Sequence, residues 1–222
     1  MSKNELIEIT AQNKKTAEYV KKVNAKSYAE IGCNYGNTSY VVAKDMPEGS
    51  TIYLFDYPEY IKITKEKLKN IEKEKNLKII YFSNSEKERD SYCWNLIGLV
   101  EKKQKIFDYV YLDGAHDFTI DGFAFFLIDR LLRVNGYIEF DDYNWTFGKS
   151  PTVNPLKDKT TSKKYTQKQI NTPHIKLIVD NLIKPNKRYI EVVKNRVYKK
   201  IQDEPIRGNM EIIINKLKMN KL

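Results

Sequence analysis

Short, nearly continuous apolar runs recur along the first two thirds of the chain, separated by stretches with the 3.6-residue period of a helix. Residues 3–24 carry an apolar stripe of Leu6, Ile9, Ala17, Val20 and Val23 and predict an amphipathic helix. Strands are predicted at 27–32, 51–56, 77–82, 107–113 and 136–141, and helices at 37–46, 60–75, 85–103 and 118–133. The strands read as unbroken apolar runs (TIYLFD, FDYVYLD) rather than as alternating ones. That is the pattern of parallel strands covered on both faces. Five such strands separated by helices require right-handed crossovers, so the fold class is α/β with a doubly wound sheet.

The pattern changes after Asp142. Residues 144–171 are polar, rich in Lys and Thr, and punctuated by Gly148, Pro151 and Pro155. A stretch this long without periodicity reads as a lid or binding loop. Thr172-Pro173 then reads as a helix N-cap followed by proline at the first helical position, with the helix running to about Lys184. Apolar runs at 189–193 and 196–201 flank Lys194-Asn195, a hairpin connection, and bring the sheet to seven strands with an antiparallel end. The tail, 202–222, has a stripe of Met210, Ile213, Ile214 and Leu217; it either docks as a helix or pairs with another subunit, which leaves a homo-oligomer open. No internal repeat or second domain is visible. The chain divides into an N-terminal helix (1–24), a ligand-binding core (25–142), a lid (143–171), a final helix and hairpin (172–201) and the tail.

Composition changes this picture little. The 222 residues, 41% hydrophobic and 31% charged, suit one globular domain. No apolar run approaches the roughly 20 residues of a membrane span. The first residues, MSKNELIEITAQNKK, lack the apolar core of a signal peptide, so a cytoplasmic location is expected. Cys33 and Cys93 form no CxxC pair and read as reduced, packed side chains. The net charge of +10 raises nucleic acid as a partner. Yet Lys and Asn are abundant along the whole chain, as an AT-rich coding sequence would produce, so nucleic acid is not the expected partner.

Candidate chemistry gathers at the ends of the predicted strands. Glu30 precedes Gly32 and Gly36 in Glu30-Ile-Gly-Cys-Asn-Tyr-Gly36. This differs from the G-x-G-x-x-G turn that seats a pyrophosphate, because Glu30 would repel that group. A ligand carrying an amine and a sulfonium suits it better. The alternative is a turn that glycines merely shape. Asp56 ends the second strand, where a carboxylate can accept both hydroxyls of a ribose. Ser83-Asn84-Ser85 ends the third, within reach of an adenine amino group.

Two further motifs follow strands: Asp113-Gly-Ala-His116 and Asp141-Asp142-Tyr143. In an open α/β sheet, ligands bind outside the carboxyl ends of the strands. Three carboxylates there repel one another unless a cation sits among them. Oxygen ligands would suit Mg2+, Mn2+ or Ca2+. The alternatives are that Asp141 or Asp142 caps the next segment, or that the carboxylates pair with lysines. His116 at this rim reads as a general base, whereas His174 reads as a surface residue.

Together these motifs resemble the class I S-adenosylmethionine-dependent methyltransferases, whose Rossmann-like sheet ends in a reversed hairpin strand. More narrowly the chain is similar to bacterial metal-dependent sugar O-methyltransferases of the macrocin and mycinamicin type. The likeness covers about 25–145, and the run DYVYLDGAHDFTIDGFAFFLIDRLLRVNGYIEFDDYNW carries most of it. It implies that Glu30, Gly32, Tyr35, Gly36, Thr38 and Ser39 surround the amino-acid end of S-adenosylmethionine. Asp56 and Tyr57 would hold its ribose, Asn84 and Ser85 would flank adenine, and Asp113 would line the same site. Asp113, Asp141 and Asp142 match metal ligands for Mg2+ or Mn2+, and His116 matches the base. Asn84 stands where an aspartate is usual, and Asn135 replaces the usual glycine before Gly136. The implied reaction is methyl transfer to a hydroxyl of a saccharide or other small polyol. Tyr143, Trp145 and Phe147 would offer aromatic faces to a sugar. Lys149, Lys157, Lys159, Lys163 and Lys164 would attract an anionic one. The competing readings are an RNA or DNA methyltransferase on the same fold and a non-catalytic cofactor-binding partner subunit.

Overall fold

A computed structural model describes residues 9–85, 87 and 89–204. Five strands, β1 (Ser27–Ile31), β2 (Thr51–Asp56), β3 (Lys78–Ser83), β4 (Phe107–Leu112) and β5 (Leu132–Phe140), run parallel. Two more, β6 (Tyr189–Val193) and β7 (Val197–Lys200), form a hairpin. Because β7 pairs antiparallel with β5, the single sheet has the order β3-β2-β1-β4-β5-β7-β6. Asn195, at φ +57°, makes the tight turn of the hairpin, a conformation that Asn tolerates better than most residues.

Alternation along the strands divides the core in two. Tyr28, Ile52, Leu54, Tyr109 and Tyr111 pack with α1 (Ala11–Lys22), α2 (Asn37–Asp45) and α3 (Pro58–Glu74). Ala29, Ile31, Phe55, Val110 and Ile138 pack on the other face with α4 (Tyr92–Val100) and α5 (Phe118–Leu131). Each large side chain buried in this way contributes about 1.5–3 kcal/mol. This is the two-sided burial that the unbroken apolar runs imply.

Several element boundaries differ from the expected ones. The described part of the first helix begins at Ala11, because Thr10 and Asn13 form a reciprocal capping box. Leu6 and the tail stripe from Met210 to Leu217 lie outside the described residues. The helix expected at 85–103 is only Tyr92–Val100, since the Ser91 hydroxyl caps it by accepting the Cys93 N–H (3.3 Å). That leaves residues 84, 85, 87 and 89–91 outside any helix, at the rim. The strand expected from Gly136 starts at Leu132, which pairs with Phe107 before an irregularity. Asn135 takes φ +70° within it, so asparagine does there what glycine would do. The lid is not structureless. It holds a 3-10 turn (Phe147–Lys149), α6 (Lys159–Lys164) and α7 (Gln167–Ile170). Asp158 and Thr166 cap the two helices, which shows how a segment poor in apolar residues still forms local structure. Then α8 (His174–Ile178) passes into a π-helical turn (Val179–Ile183). No helix among the described residues is long and apolar enough to cross a membrane.

Register aligns the carboxyl ends of the strands. The Gly32 N–H donates to Phe55 O (2.9 Å), Asp113 N–H to Ile31 O (2.9 Å), Asn84 N–H to Asp56 O (3.0 Å) and Asp141 N–H to Leu112 O (3.2 Å). One further hydrogen bond past each strand thus brings five sequence-distant segments to a single rim.

Candidate active site

A cavity of about 510 Å³ opens at this rim, within the usual size range of ligand pockets. Its wall includes Gly32, Asn34, Asp56, Tyr57, Asn84, Asp90, Tyr92, Asp113, His116 and Lys164. The first turn is built around two glycines. Gly32 sits at φ +86°, and a Cβ there would lie 2.0 Å from Asp113 O. Gly36 sits at φ +71° with a Cβ position 2.8 Å from the Thr64 side chain. Both are therefore required by the protein's own packing, and Gly32 lets the ends of β1 and β4 approach.

Glu30 lies behind this turn and does not line the cavity. It is 1% exposed and accepts hydrogen bonds from the Ser39 hydroxyl (2.7 Å) and the Tyr28 phenol (3.1 Å). Burial pushes its pKa up to about 8 despite those bonds. Thr38 accepts from the Asn13 side chain (2.8 Å), and Tyr35 packs edge-on against Tyr60. Glu30, Tyr35, Gly36, Thr38 and Ser39 thus form a support for the cavity wall rather than the wall itself.

Asp56 does face the cavity. Its Oδ2 accepts the Asn34 N–H (2.6 Å) and its Oδ1 the Tyr57 N–H (2.7 Å), which fixes the carboxylate for a further pair of donors. Burial raises its pKa, and these two bonds act in the opposite direction. Asn84 also lines the cavity, oriented by Asn95, whose Nδ2 donates to Asn84 Oδ1 (3.1 Å). Ser85 does not. Its N–H donates to Asp90 Oδ2 (2.6 Å), and Asp90, Ser91, Tyr92 and Lys87 take that part of the wall. Sequence reasoning missed these four because it ran one helix through them. The available signal was Asp90-Ser91, two residues of the kind that begin helices, directly before an apolar run.

His116 lines the cavity at φ +54°. Its Nε2 lies 2.9 Å from Asp142 Oδ2 and 3.6 Å from Asp113 Oδ1. Burial alone would lower its pKa, but the hydrogen bond to Asp142 and the charges of Asp113, Asp121 and Asp142 push it up to about 9. Asp113 shifts upward through burial and the neighbouring charges of Asp141 and Asp142, with His116 opposing them. The Nδ1 of His116 is buried and has no hydrogen-bond partner.

Asp113, Asp141 and Asp142 lie near enough to raise the pKa of Asp113, but the latter two are engaged by other side chains. Asp142 holds His116, and Asp141 Oδ1 accepts from Gln12 Nε2 (2.9 Å) on α1. Neither lines the cavity. Among the described residues, no group of three or more His, Cys, Asp or Glu side chains is arranged to hold a metal ion. The His116 ring lies between Asp142 (2.9 Å) and Asp113 (3.6 Å). As placed, these residues do not fit a divalent metal.

The lid closes over this corner through Trp145, whose ring meets His116 edge to face at 4.9 Å. Phe147 is buried against Tyr165, stacked at 4.3 Å, and offers no open face. Tyr143 packs between Lys176 and Lys184 and donates to Asp180 (2.8 Å). Of the five lid lysines, Lys164 alone lines the cavity. His174 is buried rather than on the surface: Nδ1 accepts the Phe118 N–H (3.0 Å) and Nε2 donates to Gln169 O (3.0 Å). It anchors the lid to the start of α5.

A family model described as a methyltransferase domain matches residues 29–143. No curated protein matches the sequence. Solved structures resemble the chain over most of both lengths. An O-methyltransferase from Bacillus cereus in complex with SAH is 14% identical and covers 88% of this chain and 84% of its own, with a TM-score of 0.58. The O-methyltransferase TomG from Streptomyces achromogenes, involved in tomaymycin synthesis and in complex with SAM, is 12% identical (88% and 82%, TM-score 0.58). The SAH-bound methyltransferase PaMTH1 from Podospora anserina is 17% identical (87% and 78%, TM-score 0.54). At these identities the likeness is one of fold.

Proposed function

Since the chain belongs to the methyltransferase-domain family, whose model covers residues 29–143, we propose that it is an S-adenosylmethionine-dependent O-methyltransferase acting on a hydroxyl of a saccharide or other small polyol. The observation that carries this reading is His116, a cavity-wall histidine with one ring nitrogen fixed by a carboxylate and the other unpartnered.

The wall fits the cofactor. Asp56 is preset to accept a ribose diol, Tyr57 stands beside it, and Asn84 and Asp90 supply polar groups for adenine. Gly32 and Asn34 leave backbone at the amino-acid end. Bound there, S-adenosylmethionine supplies an electrophilic methyl group on a sulfonium. Asp142 holds the His116 ring through Nε2, so Nδ1 is the atom that takes a proton. With the ring neutral, an acceptor hydroxyl gives its proton to Nδ1 as its oxygen attacks the sulfonium methyl in line; the S–CH3 bond breaks and S-adenosylhomocysteine leaves with the electron pair. Positioning both reactants against one wall supplies much of the rate. Divalent-metal assistance is not part of this reading, because Asp141 and Asp142 are engaged by Gln12 and His116.

The acceptor class is supported by Trp145, an aromatic face beside the base, and by Lys164 and Lys87, which favour an anionic glycan or nucleotide-linked sugar. The test is radiolabelled methyl transfer to panels of saccharides, catechols and RNA. Label in at least one saccharide class is expected. Label only in catechols or RNA would overturn the acceptor while leaving the family unchanged.

A further inference from the structure

The Asp113–Asp117 loop carries His116, and two side chains outside it determine its shape. Asp121 lies one turn into α5 and is 0% exposed, on a helix face otherwise given to Gly122, Ala124 and Phe125. A buried carboxylate persists only where both oxygens have partners. Oδ1 accepts the Tyr92 hydroxyl, and Oδ2 accepts the Asp117 N–H (3.1 Å). The Tyr92 hydroxyl in turn accepts the Ala115 N–H (3.2 Å). Gly114 lies against the same pair: a Cβ there would be 2.5 Å from Tyr92 Oη and 2.7 Å from Asp121 Oδ1. Residues 114, 115 and 117 are therefore all fixed from beneath. His116 is turned away from that support, at φ +54°, a backbone conformation that a side-chain-bearing residue keeps only when its surroundings impose it. A helix cap alone would need the bond to Asp117. The link through Tyr92 to Ala115 extends the same support into the loop.

We propose that Asp121 and Tyr92 are positioning residues that hold the backbone on both sides of His116 and so present its ring to the cavity. The proposal rests on the reading of His116 as the base, but its test does not. The chain has two histidines, His116 and His174, so imidazole 15N spectra of the full chain are simple to assign. In the parent, His116 is expected to give one set of ring signals with a nuclear Overhauser contact to Trp145, whose ring lies 4.9 Å away.

Tyr92→Phe removes a single oxygen and leaves the ring in the wall. It should broaden or double the His116 signals and weaken the Trp145 contact at least two-fold. Melting temperature should stay within a few degrees. Asp121→Ala should change the His116 signals in the same way. Asp121→Asn, which restores one oxygen acceptor, should recover part of the lost contact, and the Tyr92→Phe/Asp121→Ala double variant should be no worse than Asp121→Ala. With an acceptor from the saccharide panel, kcat should fall at least ten-fold with KM little changed. Unchanged His116 signals in Tyr92→Phe overturn the proposal, and that variant decides the matter if Asp121→Ala does not fold. Full turnover by His116→Ala would instead remove the base while leaving the ordering result in place.

Discussion

At the scale of single residues, the site is governed by burial and by which atoms already have partners. His116 gives the first prediction. A base whose pKa stands at about 9 is protonated at neutral pH. Turnover should therefore rise with pH through about 9 and level above it. His116→Gln should lower kcat on the order of 100-fold and abolish that dependence. A flat profile in the parent enzyme would remove His116 as the base. Asp56 gives the second. Asp56→Ala should weaken S-adenosylhomocysteine binding by about 1–3 kcal/mol, read by calorimetry, through loss of charged hydrogen bonds. Glu30 gives the third. Its folded-state pKa of about 8 stands above the ordinary 4.5, so the folded state holds a proton that the unfolded state loses. Its contribution is complete below about pH 4.5, declines as pH rises, and is gone above about 8. Glu30→Gln should flatten that part of a stability-against-pH curve from chemical denaturation. Glu30 was legible as a residue of the first turn, but its place behind the wall was not. Along a strand, successive side chains face opposite sides, and the sequence does not say which side the cavity takes.

At the scale of elements, hydrophobic pattern predicts the strands well and the segments between them poorly. The described residues just before α4 and the lid show why. A polar stretch has little periodicity to read, and its form is set by individual caps such as Ser91, Asp158 and Thr166. The cap at Ser91 has a functional consequence, because it leaves Asp90 and Lys87 in the cavity wall instead of on a helix. In the lid, α6 brings Lys164 to the cavity, while the neighbouring Lys163 is not in the wall. Lys164→Glu should therefore raise the KM of an anionic acceptor several-fold and leave S-adenosylhomocysteine binding within three-fold. Lys163→Glu serves as the matched control for net charge. Equal effects of the two substitutions would show that the lid acts through diffuse charge, not through a placed side chain.

For the whole molecule, the sheet order places β1 and β4 side by side at the centre, and the site forms at their carboxyl ends. The carboxylates at the rim are distributed between His116 and Gln12, so a chelator should leave turnover within about two-fold of its untreated value. Recovery of lost activity by Mg2+ or Mn2+ would reinstate a three-carboxylate metal site. The alternation of strands and helices, the two-sided core and the reversed final hairpin were legible in the chain. These follow from local periodicity and turn chemistry, which act over a few residues. The chain also pointed to Asp56, Asn84, Asp113 and His116, all of which line the cavity, because residues just past a parallel strand reach one edge of the sheet. That Glu30 sits behind the wall, that Asp141 turns to α1 and that Asp121 bonds Tyr92 beneath the histidine loop emerged only with the packing of helices on the sheet. The last two depend on contacts between residues 29 to 129 positions apart, Tyr92 with Asp121 and Gln12 with Asp141. No local pattern encodes which partner a buried polar group will find once the helices have packed against the sheet.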